Sequence, residues 1–474
     1  MPLVAGVDSS TQSCKVVIVD AETGELVRSG RASHPDGTEI NPSHWWTALM
    51  AAIDDAGGLA DVSAISVGGQ QHGMVLLDSE GRVLRDALLW NDTRSAAEAG
   101  EIIDEFGAEF LASTTGSVPV ASFTSTKLRW VANHEPQIAA QVAAVCLPHD
   151  WLTWRLAGYG PSDESQFGPD LKALATDASD ASGTGYFDAA RFEYVESILR
   201  FAIGKVPILP RLVAPGELAH LPNAANQITA AGIAGGAGDN AAAGFGLGAK
   251  TGDVVVSLGT SGTIFAVSQT QTQDPTGVIA GFSAVSFDAL PLVCTLNAAR
   301  VLDSFCELLS VTHDELSALA LRAESGSDGV VLVPYFEGER TPNLPTAKAS
   351  IHGLTLSNNT RVNLARAAIE GMLCGLADGL KALMDAGVTC ERVILVGGAA
   401  ANPAVQKVAT EVLGMGVRVP LPGEYVATGA ARQAAWALTG KLPVWEVPTL
   451  AALEANPKPQ ILREYKRIQA QLFH

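Results

Sequence analysis

Residues 3–19 read LVAGVDSSTQSCKVVIV. The apolar run at 3–7 and the β-branched run at 16–19 predict two strands, and the hydroxyl-rich segment at 9–13 predicts a tight turn between them. Residues 253–267, DVVVSLGTSGTIFAV, have the same design in the second half of the chain. A strand pair around a Ser/Thr-rich turn therefore opens each half, which predicts an internal duplication.

The elements that follow each strand pair extend this duplication. In the first half, residues 42–53 predict a helix and residues 64–67 predict a buried strand. In the second half, residues 393–396 predict a strand that glycines follow at once. This order predicts an α/β fold with two similar lobes and a cleft between them. Glycine crowding marks the boundary, so we expect a first lobe at 1–245 and a second at 246–474.

Composition limits the classes of function. The chain has 474 residues, with 31 Lys and Arg against 50 Asp and Glu, and a net charge of −19. Hydrophobic residues at 47% and charged residues at 17% exclude an intrinsically disordered chain. The negative charge repels nucleic acid and anionic lipid, so we expect neither a nucleic-acid nor a membrane partner.

The N-terminus, the apolar stretches and the cysteines indicate where the protein is located. The N-terminus has no basic segment followed by an apolar one, as a signal peptide would. The weakly charged stretch 228–249 is mostly Gly and Ala, which is too polar for a membrane span. The six cysteines form no C-x-x-C pair, so neither a disulfide framework nor a zinc site is indicated. We expect a cytoplasmic protein.

The two Ser/Thr-rich turns are candidate phosphate sites. A tight turn exposes successive backbone N–H groups and hydroxyls, and such a concavity binds anions. Asp8 precedes the first turn at a strand end, where a carboxylate could hold hydrated Mg²⁺. An ordinary hairpin with an Asx turn is the alternative. Two facing turns, at 9–13 and 259–263, could together clamp one polyphosphate.

A shelf of small residues is predicted at 396–402, VGGAAAN. It lies between a strand and a helix for which Asn402 is a favoured N-cap and Pro403 a favoured first residue. Side chains this small leave room for a flat base. A tight strand-to-helix connection without a ligand is the alternative.

A lone carboxylate, Asp239, lies among small residues in 235–242, GGAGDNAA. If it is buried in a cleft, its pKa rises, which suits a general base. A simple N-cap for a helix at 240–244 is the alternative.

The segment 68–73, GGQQHG, follows a predicted strand and carries polar side chains between glycines. It is a candidate rim for binding a polyol. A structural or solvated His72 is the alternative.

Two longer patterns resemble the FGGY family of carbohydrate kinases. The first lies at 122–134, SFTSTKLRWVANH, and includes Lys127. The second runs from Ala349 through Glu370 and includes Ile351-His352-Gly353-Leu354. Three further stretches, at 69–73, 89–95 and 175–184, resemble those of the xylulose-phosphorylating members of the family. The resemblance covers nearly the whole chain.

The resemblance implies an actin-like, ribonuclease H-like duplicated fold and ATP-dependent phosphorylation of D-xylulose to its 5-phosphate. Asp239 would then be the general base, and Asp8 would orient Mg²⁺ through water. The family contains homodimers, which leaves that assembly open here. The residues implied to hold the sugar are Gln71, His72, Asp239 and Asn240. Those implied to bind ATP are Thr11, Gly259, Thr260, Gly398, Ala399 and Asn402.

Two other functions stay open at this point. One is a kinase for another polyol or sugar acid, such as ribulose, gluconate or glycerol. The other is a non-catalytic nucleotide switch of the actin or chaperone kind. A sugar-facing base at Asp239 and a polar rim at His72 favour a kinase, because a switch has no use for either.

Overall fold

The computed structural model describes residues 2–473. The strands are β1 (Leu3–Ser9), β2 (Ser13–Asp20), β3 (Leu26–Ser33), β4 (Glu39–Ile40), β5 (Val62–Gly69), β6 (Val75–Leu77), β7 (Ala87–Leu88), β8 (Ala144–Cys146), β9 (Ala175–Thr176), β10 (Phe187–Asp188), β11 (Glu193–Tyr194), β12 (Arg211–Leu212), β13 (Leu218–His220), β14 (Gly232–Ala234), β15 (Ala237–Gly238), β16 (Gly252–Leu258), β17 (Gly262–Ala266), β18 (Ala280–Ser283), β19 (Ala289–Thr295), β20 (Val331–Val333), β21 (Ser350–His352), β22 (Cys390–Val396), β23 (Gly416–Pro420) and β24 (Thr449–Leu453). The helices are α1 (Pro42–Asp55), α2 (Ala96–Phe106), α3 (Ala108–Thr115), α4 (Thr124–His134), α5 (Pro136–Gln141), α6 (Pro148–Leu156), α7 (Ala178–Ala181), α8 (Glu196–Ile203), α9 (Asp239–Gly246), α10 (Ala299–Leu309), α11 (His313–Arg322), α12 (Arg361–Asp385), α13 (Pro403–Val412), α14 (Tyr425–Thr439) and α15 (Pro459–Phe473).

The strands predicted from the two strand pairs are confirmed. β1 and β2 enclose the first Ser/Thr-rich turn, and β16 and β17 enclose the second. The helix predicted at 42–53 is α1, and the strands predicted at 64–67 and 393–396 are parts of β5 and β22. Alternating or continuous apolar residues specified these elements locally, so they follow from the sequence pattern.

The chain folds into two compact units. The first contains the chain up to Gly248, with the segments Gln271–Leu290 and Glu424–Glu446. The second contains Ala249–Thr270, Pro291–Gly423 and the chain from Val447 onward. Each unit is therefore built from three segments that are not continuous in the sequence. No helix within residues 2–473 combines the length and apolar character that a membrane span requires.

The first unit is built on a mixed sheet with the strand order β13-β14-β5-β1-β2-β3. β1 is antiparallel to β2 and parallel to β5, and β15 pairs with the end of β5. A parallel β1–β5 pair needs a crossover, which α1 and the strands before it supply. The core below this sheet includes the fully buried side chains of Trp45, Leu49 and Ile65.

Helix α14, from the far end of the sequence, packs on this first sheet. A Cβ on Gly6 of β1 would lie 1.9 Å from the carbonyl oxygen of Ala427 and 2.3 Å from the backbone nitrogen of Ala431. Only glycine lets the helix backbone come this close to the strand. This contact is the reason that Glu424–Glu446 belongs to the first unit.

The second unit repeats the arrangement. Its strands follow the order β19-β17-β16-β22-β23-β24. β16 is antiparallel to β17 and parallel to β22, as β1 is to β2 and β5. The expected α/β architecture with two duplicated parts is thus confirmed.

Candidate active site

Three parallel strands of the first sheet end at one edge. Asp8 on β1 lies opposite Gly68 on β5, and Ala237 on β15 lies opposite the same glycine. The residues that follow the carboxyl ends of parallel strands meet at the same edge, where α/β proteins bind ligands. This edge carries five of the predicted site residues: Asp8, Gln71, His72, Asp239 and Asn240.

Asp8 is a buried carboxylate, with 4% of the residue exposed. Its Oδ2 lies 3.5 Å from Nζ of Lys15, which also contacts Glu424 at 2.6 Å. Its Oδ1 is buried and has no hydrogen-bond partner among the described residues. Burial raises the pKa of Asp8 to about 6, against the lowering effect of Lys15. A buried carboxylate oxygen without a donor fits a hard cation or its bound water.

Asp239 is the first residue of α9, and Gly238 is the N-cap. The interpretation of Asp239 as a simple N-cap is therefore wrong, because its side chain turns to the next residue. Its Oδ1 accepts from the backbone N–H of Asn240 at 2.7 Å and from the side-chain Nδ2 of Asn240 at 2.9 Å. Burial raises the pKa of Asp239 to about 7; the hydrogen bonds from Asn240 lower it and the charge of Asp8 raises it.

Gln71 and His72 are held by the segment that includes α7. Nε2 of Gln71 donates to the carbonyl oxygen of Ser179 at 3.1 Å, and Nδ1 of His72 donates to that of Gly183 at 2.5 Å. The imidazole packs against Phe123 with ring centroids 4.8 Å apart. Both side chains thus have defined orientations before any ligand binds.

The first Ser/Thr-rich turn is closed by its backbone, since the N–H of Ser10 donates to the carbonyl oxygen of Ser13 at 3.1 Å. Within residues 2–473, the hydrogen bond of the Asp8 carboxylate goes to Lys15, so this is not an Asx turn built on Asp8. Oγ1 of Thr11 accepts from the indole Nε1 of Trp90 at 2.9 Å. Thr11 therefore has a fixed rotamer on the turn.

In the second unit, the turn at 259–263 and the small residues at 396–402 lie at one edge of the sheet. β16 and β22 are parallel, with Ser257 opposite Val396. The turn that carries Gly259 and Thr260 follows β16, and the small residues from 397 onward follow β22. Both motifs predicted for the nucleotide therefore lie at the carboxyl edge of this sheet.

A glycine allows these two motifs to approach. Gly397 has φ 95°, and a Cβ on it would lie 2.5 Å from the carbonyl oxygen of Leu258. The next residue differs, because a Cβ on Gly398 would meet no atom within 4 Å. Gly398 and Ala399 thus form an open shelf beside the end of β16.

Asn402 is the N-cap of α13, as predicted. Its Oδ1 accepts from the backbone N–H of Ala404 at 2.9 Å and of Val405 at 3.3 Å. The side-chain oxygen serves the helix, so a ligand would meet the amide nitrogen.

Three buried titratable side chains near the first edge were not assigned from the sequence. Lys127 lies in α4, and His149, which pairs with Asp180, lies next to Gly69 at the end of β5. The available signal for Lys127 was its place in the first family pattern. For His149 it was the adjacent titratable pair His149-Asp150, which directly follows Pro148.

Family models match both halves of the chain. The N-terminal domain of the FGGY family of carbohydrate kinases matches residues 3–246, and its C-terminal domain matches residues 254–438. Xylulose kinase of Streptomyces rubiginosus is 42% identical over 473 residues, which cover 96% of this chain and 93% of the relative. Xylulose kinase of Streptomyces coelicolor is 44% identical over 454 residues, which cover 93% of this chain and 89% of the relative.

A solved structure has the same fold. The crystal structure of xylulose kinase from Bifidobacterium adolescentis superposes with a TM-score of 0.92 at 46% identity, over 99% of each chain. Together with the family matches, this confirms the resemblance seen in the sequence. An enzyme of this class transfers a phosphoryl group from ATP to a sugar with the help of a divalent metal ion. The chain belongs to the FGGY family of carbohydrate kinases.

Proposed function

We propose that the enzyme transfers the γ-phosphoryl group of ATP to the terminal hydroxyl of D-xylulose, giving D-xylulose 5-phosphate. The observation that carries this proposal is the position of Asp239 at the sheet edge where Asp8, Gln71 and His72 also lie. The choice of sugar is supported by the relatives named xylulose kinase, at 42% and 44% identity over most of the chain.

Asp239 is the proposed general base. Phosphoryl transfer passes through a loose transition state, so alignment and charge stabilisation do most of the work. A carboxylate with a pKa of about 7 is well matched to proton transfer near neutral pH. Both hydrogen bonds from Asn240 go to Oδ1, and we assign acceptance of the sugar proton to Oδ2.

Gln71, His72 and Asn240 are the proposed sugar contacts. A ketopentose offers hydroxyl donors and acceptors and one carbonyl acceptor, which amide and imidazole groups match. The backbone carbonyls of Ser179 and Gly183 hold the first two side chains in place. Fixed polar groups lose little entropy on binding, which favours specificity.

Asp8 fits the divalent metal that this chemistry needs, which we propose to be Mg²⁺. Its unpartnered Oδ1 is an oxygen ligand of the kind Mg²⁺ prefers, directly or through water. When bound, the metal neutralises charge on the phosphates. Lys15 lies beside the same carboxylate and lowers its pKa, against the raising effect of burial.

The nucleotide is assigned to the turns and the shelf. Backbone N–H groups and hydroxyls of tight turns suit the β- and γ-phosphates, which we assign to Thr11, Gly259 and Thr260. The open side of Gly398 suits a flat base beside Ala399. We assign the amide nitrogen of Asn402 to the adenosine as well.

The proposal includes the location and the assembly. We place the enzyme in the cytoplasm, because its cosubstrate is ATP. The net charge of −19 leaves small molecules rather than nucleic acid as the partners. We also propose a homodimer, which light scattering at two protein concentrations can check.

A substrate panel tests the function. We expect kcat/KM for D-xylulose to exceed that for D-ribulose, D-gluconate and glycerol by at least about tenfold, which is about 1.4 kcal/mol of transition-state binding. Formation of ADP gives the rate, and NMR of the product shows which hydroxyl carries the phosphate. A tenfold preference for another acceptor would show that the sugar is wrong while leaving the enzyme class intact.

A further inference from the structure

Lys127 is a buried lysine that the proposed reaction does not use. It lies in the first half of α4, within the pattern at 122–134, and it is 0% exposed. Its Nζ donates to the carbonyl oxygen of His72 at 2.9 Å and to that of Ser122 at 2.7 Å. Among residues 2–473, no carboxylate lies within 4.0 Å of this nitrogen, and the charge of Asp92 acts from further away.

Burial of a lysine without an ion-pair partner costs free energy. The two hydrogen bonds of Lys127 offset part of that cost. Burial lowers the pKa of Lys127 to about 7. The neutral amine and the ammonium each carry at least two N–H groups, so both carbonyl contacts persist in either form. The contact with His72 is therefore independent of the charge state of the lysine.

His72 is the residue that this contact holds. Its φ is 69°, a left-handed conformation that residues other than glycine rarely adopt. Strain of this kind persists only where surrounding groups hold the backbone, and it concentrates at functional sites. The carbonyl oxygen of His72 also accepts from Oγ1 of Thr124 at 3.2 Å, so two donors on α4 hold the same atom.

The side chain of His72 depends on that backbone. Its Nδ1 donates to the carbonyl oxygen of Gly183, and a Cβ on Gly183 would lie 3.1 Å from the same nitrogen. The imidazole also packs against Phe123 and against Phe282, whose ring centroid is 5.6 Å away. A change in φ at residue 72 would move the imidazole away from Gly183 and from the two phenylalanine rings.

We infer that Lys127 is a positioning residue of the sugar site, which holds His72 in its left-handed backbone conformation and so sets where the imidazole meets the sugar. This inference rests on the proposed role of His72 in sugar binding. It gives a physical reason for a lysine within the pattern at 122–134, where nothing else in the reaction calls for one.

A double-mutant cycle tests it. The four proteins are wild type, Lys127→Met, His72→Ala and the double variant, and the readout is kcat/KM for the preferred sugar. We expect Lys127→Met to lower kcat/KM at least about tenfold, mainly through the KM for sugar, with less than about a twofold change in the KM for ATP. In the His72→Ala background the same change should cost less than about threefold, because the group it positions is gone.

Thr126→Val is the matched control. Thr126 is also buried in α4, and its hydroxyl donates to the carbonyl oxygen of Phe123 at 2.8 Å, whereas Lys127 and Thr124 donate to that of His72. We expect this variant to keep kcat/KM within about twofold of wild type. If Lys127→Met fails to fold, Thr124→Val removes the other donor to the same carbonyl and should show a smaller loss that again disappears in the His72→Ala background.

Equal losses in both backgrounds overturn the role of Lys127 and leave the proposed sugar contact intact. Wild-type kinetics of His72→Ala alone overturn both assignments. A crystal structure of Lys127→Met gives a readout besides activity: we expect a displaced imidazole or an altered φ at His72, and an unchanged His72 contradicts the inference.

Discussion

His149 and Asp180 form an ion pair inside the first unit, with Nδ1 of the histidine 2.5 Å from Oδ2 of the aspartate and both side chains fully buried. Nε2 of His149 lies 3.1 Å from the carbonyl oxygen of Gly235 and 3.2 Å from Oδ1 of Asp150. Both ring nitrogens face acceptors, so both carry protons. Burial alone would lower the pKa of His149, but the charges of Asp150 and Asp180 raise it to about 10. The imidazolium of His149 in α6 thus connects this helix to Asp180 in α7 and to the carbonyl oxygen of Gly235.

Removal of this cation should destabilise the protein strongly. In His149→Leu the carboxylates of Asp150 and Asp180 lose their buried counter-charge, and breaking one side of a buried pair typically costs about 3–5 kcal/mol. We expect the free energy of unfolding to fall by about that amount in urea titrations at pH 7. Lys381→Ala is the control, since its pair with Asp385 is exposed and should contribute less than about 1 kcal/mol. A loss in His149→Leu no larger than in this control would contradict a structural role for the pair.

Replacement of the proposed base should remove turnover and leave the fold. Asp239→Asn keeps the size of the side chain and its contact with Asn240 but cannot take a proton. We expect kcat to fall by about 10²–10⁴, with unchanged thermal unfolding and unchanged ATP affinity by calorimetry. Asp104→Asn makes the same change on the exposed side of α2 and should keep full activity. Near-normal turnover in Asp239→Asn would mean that another group accepts the proton.

The pH dependence of the reaction should follow the same carboxylate. Burial raises the pKa of Asp239 to about 7, and only the deprotonated form accepts a proton. The kcat/KM for sugar should therefore rise with pH up to about 7 and then level off. Asn240 lowers this pKa through its side-chain hydrogen bond, so in Asn240→Ala the acid limb of the profile should move to higher pH. A limb that stays in place, or moves to lower pH, would assign it to a different group.

The close contact between β1 and α14 should not tolerate a methyl group. In Gly6→Ala the new Cβ would meet backbone atoms of Ala427 and Ala431 at 1.9 and 2.3 Å, so strand and helix must separate. We expect the free energy of unfolding to drop by at least about 1–3 kcal/mol, measured by urea denaturation. Gly100→Ala in α2 is the matched control, since its Cβ meets nothing within 4 Å. That change should stabilise the protein by about 0.4–1 kcal/mol, and equal effects of the two substitutions would contradict the packing argument.

The sequence by itself determined the elements whose signals are local. The two strand pairs, the strand before Gly397 and the N-cap at Asn402 each follow from residues within a few positions of one another. Apolar alternation and capping act over one turn or one strand, so a pattern can be recognised without the fold. The family patterns are also contiguous, and they predicted the enzyme class.

The tertiary structure alone decided which distant groups meet. Lys127 holds a carbonyl 55 positions away, at His72. His149 pairs with Asp180, and α14 returns to lie on β1. The sequence around Asp239 also fitted an N-cap. Its position at the same sheet edge as Asp8 follows only from the pairing of β15 and β1 with β5. Contacts of this kind depend on chain topology and burial. Neither produces a local sequence pattern, such as a helical or strand period, from which the contact could be predicted.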